Sequence, residues 1–226
     1  MIESHTSIEI EKFANNVKNA LLRNPDVEEL QNMGEIGDLS SFSKAVVLVA
    51  VASIYIKADS FRSQSDRATI TEAIYAVLSE HPKCKDIFSL GNYIVAVFDT
   101  PFKNDIDAML DCVGKVTALF NLANKIYGQS MHAKLVYGVG MNYGKALLVK
   151  SMEGDNPKFV WSGDAIGAAS TLSEKATSDS KVYASFTIFN NLKEDYQKLF
   201  NKVPFDDYYE ATPVNILMTK WINANV

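Results

Sequence analysis

Apolar residues recur at Ile8, Ile10, Phe13, Ala14, Val17, Ala20, Leu21 and Leu22, a spacing that predicts an amphipathic helix over residues 7–23. Asn24-Pro25-Asp26 breaks it, residues 27–33 predict a second short helix, and residues 34–43 read as a polar connection. The pattern then changes. Lys44 is followed by Ala45-Val46-Val47-Leu48-Val49-Ala50-Val51-Ala52, rich in valine and without alternation. Such a run predicts a central strand covered on both faces. Helical spacing returns at Ile70, Ala73, Ile74, Val77 and Leu78, and His81-Pro82 ends it. Residues 87–90 and 93–98 predict two strands around Gly91-Asn92, a hairpin turn by residue type and length. Residues 105–127 predict a long helix ended by Gly128.

The second half continues in kind. Residues 133–141 and 146–150 predict another strand pair, turned at Asn142-Tyr143-Gly144. Residues 159–161 are short and extended, and residues 164–175 form an alanine-rich helix. Residues 182–184 and 215–221 predict strands, with a helix over 186–192 between them. This order implies an α+β fold with helices packed on a mostly antiparallel sheet. Residues 1–43 are expected to form an N-terminal helical extension, and residues 44–226 the domain itself.

Composition narrows the function. The chain has 226 residues, 47% apolar and 22% charged, which suits one globular domain with extra terminal elements. Its net charge is −5 and no block of Lys and Arg stands out, which argues against a nucleic-acid partner. Cys84, Cys112, His5, His81 and His132 lack zinc-type spacing. The first residues lack a basic region before an apolar core, so no signal peptide is expected. The longest apolar run is about a dozen residues, whereas a helix needs roughly 20 to cross a bilayer. The expectation is no membrane partner and a cytoplasmic protein with reduced thiols.

Three segments in order carry a family resemblance: Gly91-Asn92-Tyr93-Ile94-Val95-Ala96-Val97-Phe98, then Val136 to Val149 with its Asn142-Tyr143-Gly144-Lys145, then Gly163-Asp164-Ala165-Ile166-Gly167-Ala168-Ala169-Ser170-Thr171-Leu172. Over residues 44–218 the chain resembles the class III adenylate and guanylate cyclases. The resemblance implies the class III cyclase fold and a homodimer that binds a nucleoside triphosphate. It also implies attack of the ribose 3′-hydroxyl on the α-phosphate, with release of pyrophosphate. Two Mn²⁺ or Mg²⁺ ions do most of that work in the family, held by two aspartates and one backbone carbonyl.

Carried onto this sequence, those positions are altered. The hairpin aspartate maps to Asn92, and the strand aspartate to Ala50, with Val51 offering the backbone carbonyl. An alternative register puts Tyr55 at the strand position, and Asp59 is the nearest downstream carboxylate. The family's transition-state asparagine and arginine map to Gly167 and Thr171. Its purine-reading lysine and aspartate map to Phe88 and Val160, and its triphosphate lysine falls in Val203-Pro204-Phe205-Asp206-Asp207, where an acid stands. Val51, Ala52, Ser53 and Ile54 would offer a phosphate loop, with backbone N–H groups of Ser53 and Ile54 facing the anion and Lys57 and Arg62 adding charge. Phe88 and Trp161 either wall a base pocket or simply pack the sheet. Asp164 is either a nucleotide contact or a helix N-cap.

A short chain with such a base pocket resembles the stand-alone pyrimidine cyclases of Pycsar antiphage systems. That reading implies a UTP or CTP substrate, a 3′,5′-cyclic product and a separate effector that reads it. Loss of both metal carboxylates implies a nearly inactive enzyme. The competing reading is a dead cyclase fold acting as a nucleotide sensor or pairing module.

Overall fold

The computed structural model describes residues 28–30, 44–61, 63–128, 134–153, 156–176, 179–212 and 216–225, with positions 15 and 18. The valine-rich run is strand β2, Lys44–Ile56. Its alternate side chains serve two different cores. Ala50, Ala52, Ile54 and Ile56 face helices α1 (Gln64–Ser79) and α2 (Lys103–Gly128), meeting Ile70, Ile74, Leu78, Met109 and Phe120. Val47, Val49 and Val51 face helix α3 (Asp164–Ser173), meeting Ala165, Ile166 and Ala169. A strand buried on both faces needs no polar alternation, which is why its sequence reads as continuous apolar.

The sheet has the order β3-β4-β2-β5-β7-β9-β8. Here β3 is Cys84–Leu90, β4 Tyr93–Phe98, β5 Tyr137–Glu153, β7 Lys181–Ser185, β8 Asn201–Lys202 and β9 Tyr208–Ala211. Strand β6, Asn156–Ser162, pairs with β5, and β1, Glu28–Leu30, lies parallel to β2. Among the described residues only β5–β7 and β1–β2 are parallel pairs, so the mostly antiparallel α+β expectation holds. Short helices α4 (Phe186–Asn191) and α5 (Glu194–Gln197) follow β7, and α6 (Ile216–Asn225) closes the chain.

Three local expectations are corrected. Residues 28–30, expected within a short helix, are a strand, so part of the expected helical extension belongs to the sheet. Asn142-Tyr143-Gly144 is no turn: Asn142 pairs with Val51 and Gly144 with Val49 inside one long strand, and the returning arm is β6. The 13-residue β2 is matched by β5 from Lys44↔Val149 to Ile56↔Tyr137, and this continuous ladder overrides the local turn signal. Residues 215–221, expected as a strand, fall largely in helix α6, and β9 takes the place beside β7. The expected helix over 7–23 and the connection over 34–43 lie outside the described residues, apart from helical Asn15 and Lys18.

Glycine decides how closely α3 lies on the sheet. A Cβ on Gly138 or Gly140 would sit 2.0 Å from the carbonyl oxygen of Ser173 or Ala169. Helix backbone therefore rests directly on β5. Ser53 on β2 and Ser170 on α3 are joined by a 3.2 Å hydroxyl contact at the same crossing.

Candidate functional site

Strand β2 ends beside the β3–β4 hairpin. Tyr55 pairs with Tyr93, and the Ile56 N–H donates to the Asn92 carbonyl at 3.1 Å. The chain then turns through a 3-10 segment, Ala58–Ser60, into α1, whose N-cap Ser63 accepts from the Asp66 N–H. That turn delivers Arg67 to the hairpin tip. Its Nη2 donates to the Gly91 carbonyl at 2.6 Å and to Asn92 Oδ1 at 2.8 Å. The Phe61 ring lies 5.9 Å from the guanidinium carbon.

Asn92 and Tyr93 are held from opposite sides of the sheet. Arg67 on α1 takes the Asn92 amide, while the Tyr93 hydroxyl donates to the Glu174 carboxylate just past α3. Tyr55 packs against Tyr93, ring centroids 5.3 Å apart. The hairpin tip is thus clamped, with a guanidinium on one face and a tyrosine pair on the other.

The structure does not bring Ala50 and Asn92 together. Ala50 pairs with Phe98, six residues along β4 from Asn92, roughly 20 Å away at strand rise. It is fully buried under α1 and α2, so no ion is shared between these two positions. Tyr55 is the strand residue next to Asn92, as in the alternative register, but its ring turns toward Tyr93 on the other face. Asp59 is exposed and pairs with Lys57 at 3.6 Å. Val51, Ala52, Ser53 and Ile54 are buried mid-strand residues paired with both β4 and β5. Their place in the ladder rules out the expected phosphate loop there.

Gly167 and Thr171 lie on the exposed face of α3, and a Cβ on Gly167 would meet nothing within 4 Å. Asp164 is the first residue of α3 and Gly163, at φ 108°, is its N-cap, so the expected Asp164 cap is absent. Phe88 packs half-buried against the core under α3. Trp161 is buried, and its Nε1 donates to Asp86 Oδ2 at 2.8 Å, so it packs the sheet and does not wall an open cleft. Val160 points the other way and is exposed. Asp206 is exposed, and Arg62 lies outside the described residues.

The residues present do not fit a two-metal centre at these positions. Among the described residues no group of three or more His, Cys, Asp or Glu is placed to hold an ion. The one polar ligand expected there, Asn92 Oδ1, already accepts from a cation. A divalent ion at that oxygen would face the guanidinium's charge within a few ångströms. Arg67 is the residue that sequence reasoning missed. Nothing in its helix-start position marks it, because its partner is 25 positions away.

No family model matches the chain. A uridylate cyclase of Treponema porcinum is 24% identical over 167 residues. The match covers 70% of this chain and 58% of the length of that relative. Among solved structures, the adenylyl cyclase CyaB from P. aeruginosa superposes with a TM-score of 0.61 at 10% identity, covering 77% of this chain and 98% of that one. A class III adenylyl cyclase-like ATP-binding protein from Pseudomonas aeruginosa superposes at 0.64 with 14% identity, covering 93% of this chain and 48% of that one. The fold is that of the class III nucleotide cyclases. In sequence the chain is similar to a pyrimidine cyclase.

Proposed function

We propose that this chain is a class III cyclase-fold homodimer that binds a pyrimidine nucleoside triphosphate, UTP or CTP, and cyclises it slowly or not at all. The Arg67–Asn92 bond carries this reading, since it fills with a fixed cation the place where a metal carboxylate is expected. Electrostatic stabilisation by metal is the largest contribution to this chemistry, so its loss removes most of the rate. The exposed small-residue face of α3, at Gly167 and Thr171, supplies none of the side chains that would stabilise the pentavalent phosphate. Nucleotide binding survives such losses more readily than turnover, because binding needs only complementary contacts. The ATP-binding neighbour with a cyclase-like fold supports this reading. An isologous pair would give two equivalent clefts.

A second reading is favoured by the similarity to a uridylate cyclase. In it the chain is a working pyrimidine cyclase using Mn²⁺ or Mg²⁺. It makes a 3′,5′-cyclic messenger for a separate effector in antiphage defence within the cytoplasm.

Equilibrium dialysis against each of the four ribonucleoside triphosphates, with light scattering for mass, separates the outcomes. The proposal expects a dimer that retains UTP or CTP over ATP and GTP. A monomer that binds no nucleotide overturns it.

A further inference from the structure

A cavity of about 340 Å³ opens where the C-terminal half of α2 meets the chain entering β5 and β7. Asn121 lines it from α2, Lys134 and Tyr137 from the β5 side, Asp179 and Val182 from the β7 side, and Thr212 from just past β9. Three of these groups are chemically unengaged. Tyr137 is 6% exposed; its N–H donates to Ser180 Oγ at 3.2 Å and its ring stacks on Phe120 with centroids 3.9 Å apart. Among the described residues its hydroxyl has no hydrogen-bond partner. In a buried side chain that is an exception, and the cavity is where a partner can sit. Lys134 and Asp179 enter on neighbouring strands, since Gly138 pairs with Lys181, about one strand spacing of 4.8 Å apart. They carry opposite charge, yet among the described residues neither pairs with the other or with a third group. The wall's other cation, Lys181, is spent on Glu210 at 2.6 Å.

These groups define the ligand's chemistry. One unpaired cation and one unpaired anion match a molecule that carries both signs and no net charge. A nucleobase needs an open flat face to stack on. The Tyr137 ring is buried under Phe120, and among the described lining residues Val182 is the one wholly aliphatic side chain. A base or a lipid tail therefore finds no platform. A compact zwitterion does fit. Its carboxylate meets the Lys134 ammonium and its ammonium the Asp179 carboxylate, while a polar side chain reaches the Tyr137 hydroxyl and the Asn121 amide.

We infer that this cavity binds a small polar α-amino acid, carboxylate to Lys134 and ammonium to Asp179. This site is independent of the nucleotide reading above. It adjoins the turn after β2, because residues 135 and 136 are held from two sides. Asn124 donates to the Leu135 carbonyl at 3.2 Å and accepts from its N–H at 2.7 Å. The Lys57 N–H donates to the Val136 carbonyl at 3.0 Å, and Ser60 Oγ accepts from the Val136 N–H at 3.1 Å. A ligand that ties Lys134 to Asp179 braces this stretch and, through it, the turn that delivers Arg67.

The test is isothermal titration of the full chain with L-glutamine, L-asparagine and L-serine. Beside them run N-acetyl-L-glutamine, which lacks the ammonium, L-glutaminamide, which lacks the carboxylate, and UTP. The variants are Lys134→Ala and Asp179→Asn, both at exposed positions, and Tyr137→Phe, which removes only the unpartnered hydroxyl. The inference expects at least one of the three amino acids to bind at millimolar concentration or below. It expects each blocked analogue and each charge variant to lose about fivefold or more in affinity, and Tyr137→Phe about threefold. Deuterium exchange of the peptide spanning 134–138 should slow when the amino acid is present. Absence of binding by all three amino acids overturns the inference. So does binding that both charge variants leave unchanged, or blocked analogues that bind as well as the zwitterion. UTP binding that is lost in both Lys134→Ala and Tyr137→Phe would also overturn it, since the cavity would then take a nucleotide.

Discussion

Arg67 and Asn92 are joined by a 2.8 Å hydrogen bond that ties the first turn of α1 to the tip of the β3–β4 hairpin. The same Nη2 holds the Gly91 carbonyl, and Gly91 sits at φ 61°, a conformation that favours glycine. The tip is therefore shaped around a side chain of α1. A carboxylate placed at 92 would meet this guanidinium before it met any ion.

Asn92→Asp alone is expected to form an ion pair with Arg67 and to gain no affinity for Mg²⁺. At a half-exposed site such a pair contributes about 0.5–1 kcal/mol. Thermal melts with and without Mg²⁺ check this. A small rise in Tm that is independent of the ion is expected, and an ion-dependent rise would contradict the account.

Two glycines should respond in opposite directions. Gly140→Ala drives a methyl group into the Ala169 carbonyl, so α3 must lift from β5, at a cost of about 3 kcal/mol or more. Gly167→Ala adds a methyl group in open space on the exposed helix face and should stabilise by about 0.5–1 kcal/mol. Urea denaturation of both variants reads the difference, and equal effects would refute the close packing of α3 on the sheet.

Burial pushes the Cys84 thiol up to about 12 and the Cys112 thiol up to about 11, from an ordinary 9.0; the nearby Cys112 adds to the shift of Cys84. Below pH 9 both folded and unfolded chains keep these protons, so the thiols add no pH dependence. Above it the unfolded chain loses its protons first, and stability falls until the folded thiols titrate near 11 and 12. Both cysteines should react slowly with a disulfide reagent at pH 8 in the native protein and quickly in urea. Fast native labelling would contradict their burial.

Much of the fold was legible because its signals are local. The valine run of β2, the Gly91-Asn92 turn and the long apolar repeat of α2 each follow from neighbours along the chain. Strand β5 was not legible as one element, since Asn142 and Gly144 carry turn chemistry and only pairing with β2 straightens them. Spacing alone favoured Ala50 as the strand position of the site, and only the register Tyr55↔Tyr93 shows which residue reaches the hairpin tip. The Arg67–Asn92 contact was invisible for a related reason. It joins a helix start to a hairpin tip, and neither segment carries a mark of the other.

The most direct test of the central claim is turnover. The chain is incubated with Mn²⁺ and each of UTP, CTP, ATP and GTP, and the products are identified by mass spectrometry. The account predicts that bound UTP or CTP is recovered intact, or that a 3′,5′-cyclic product accumulates to no more than a few turnovers. Sustained formation of a cyclic nucleotide over many turnovers would contradict it and establish a working catalytic centre in spite of the Arg67–Asn92 bond.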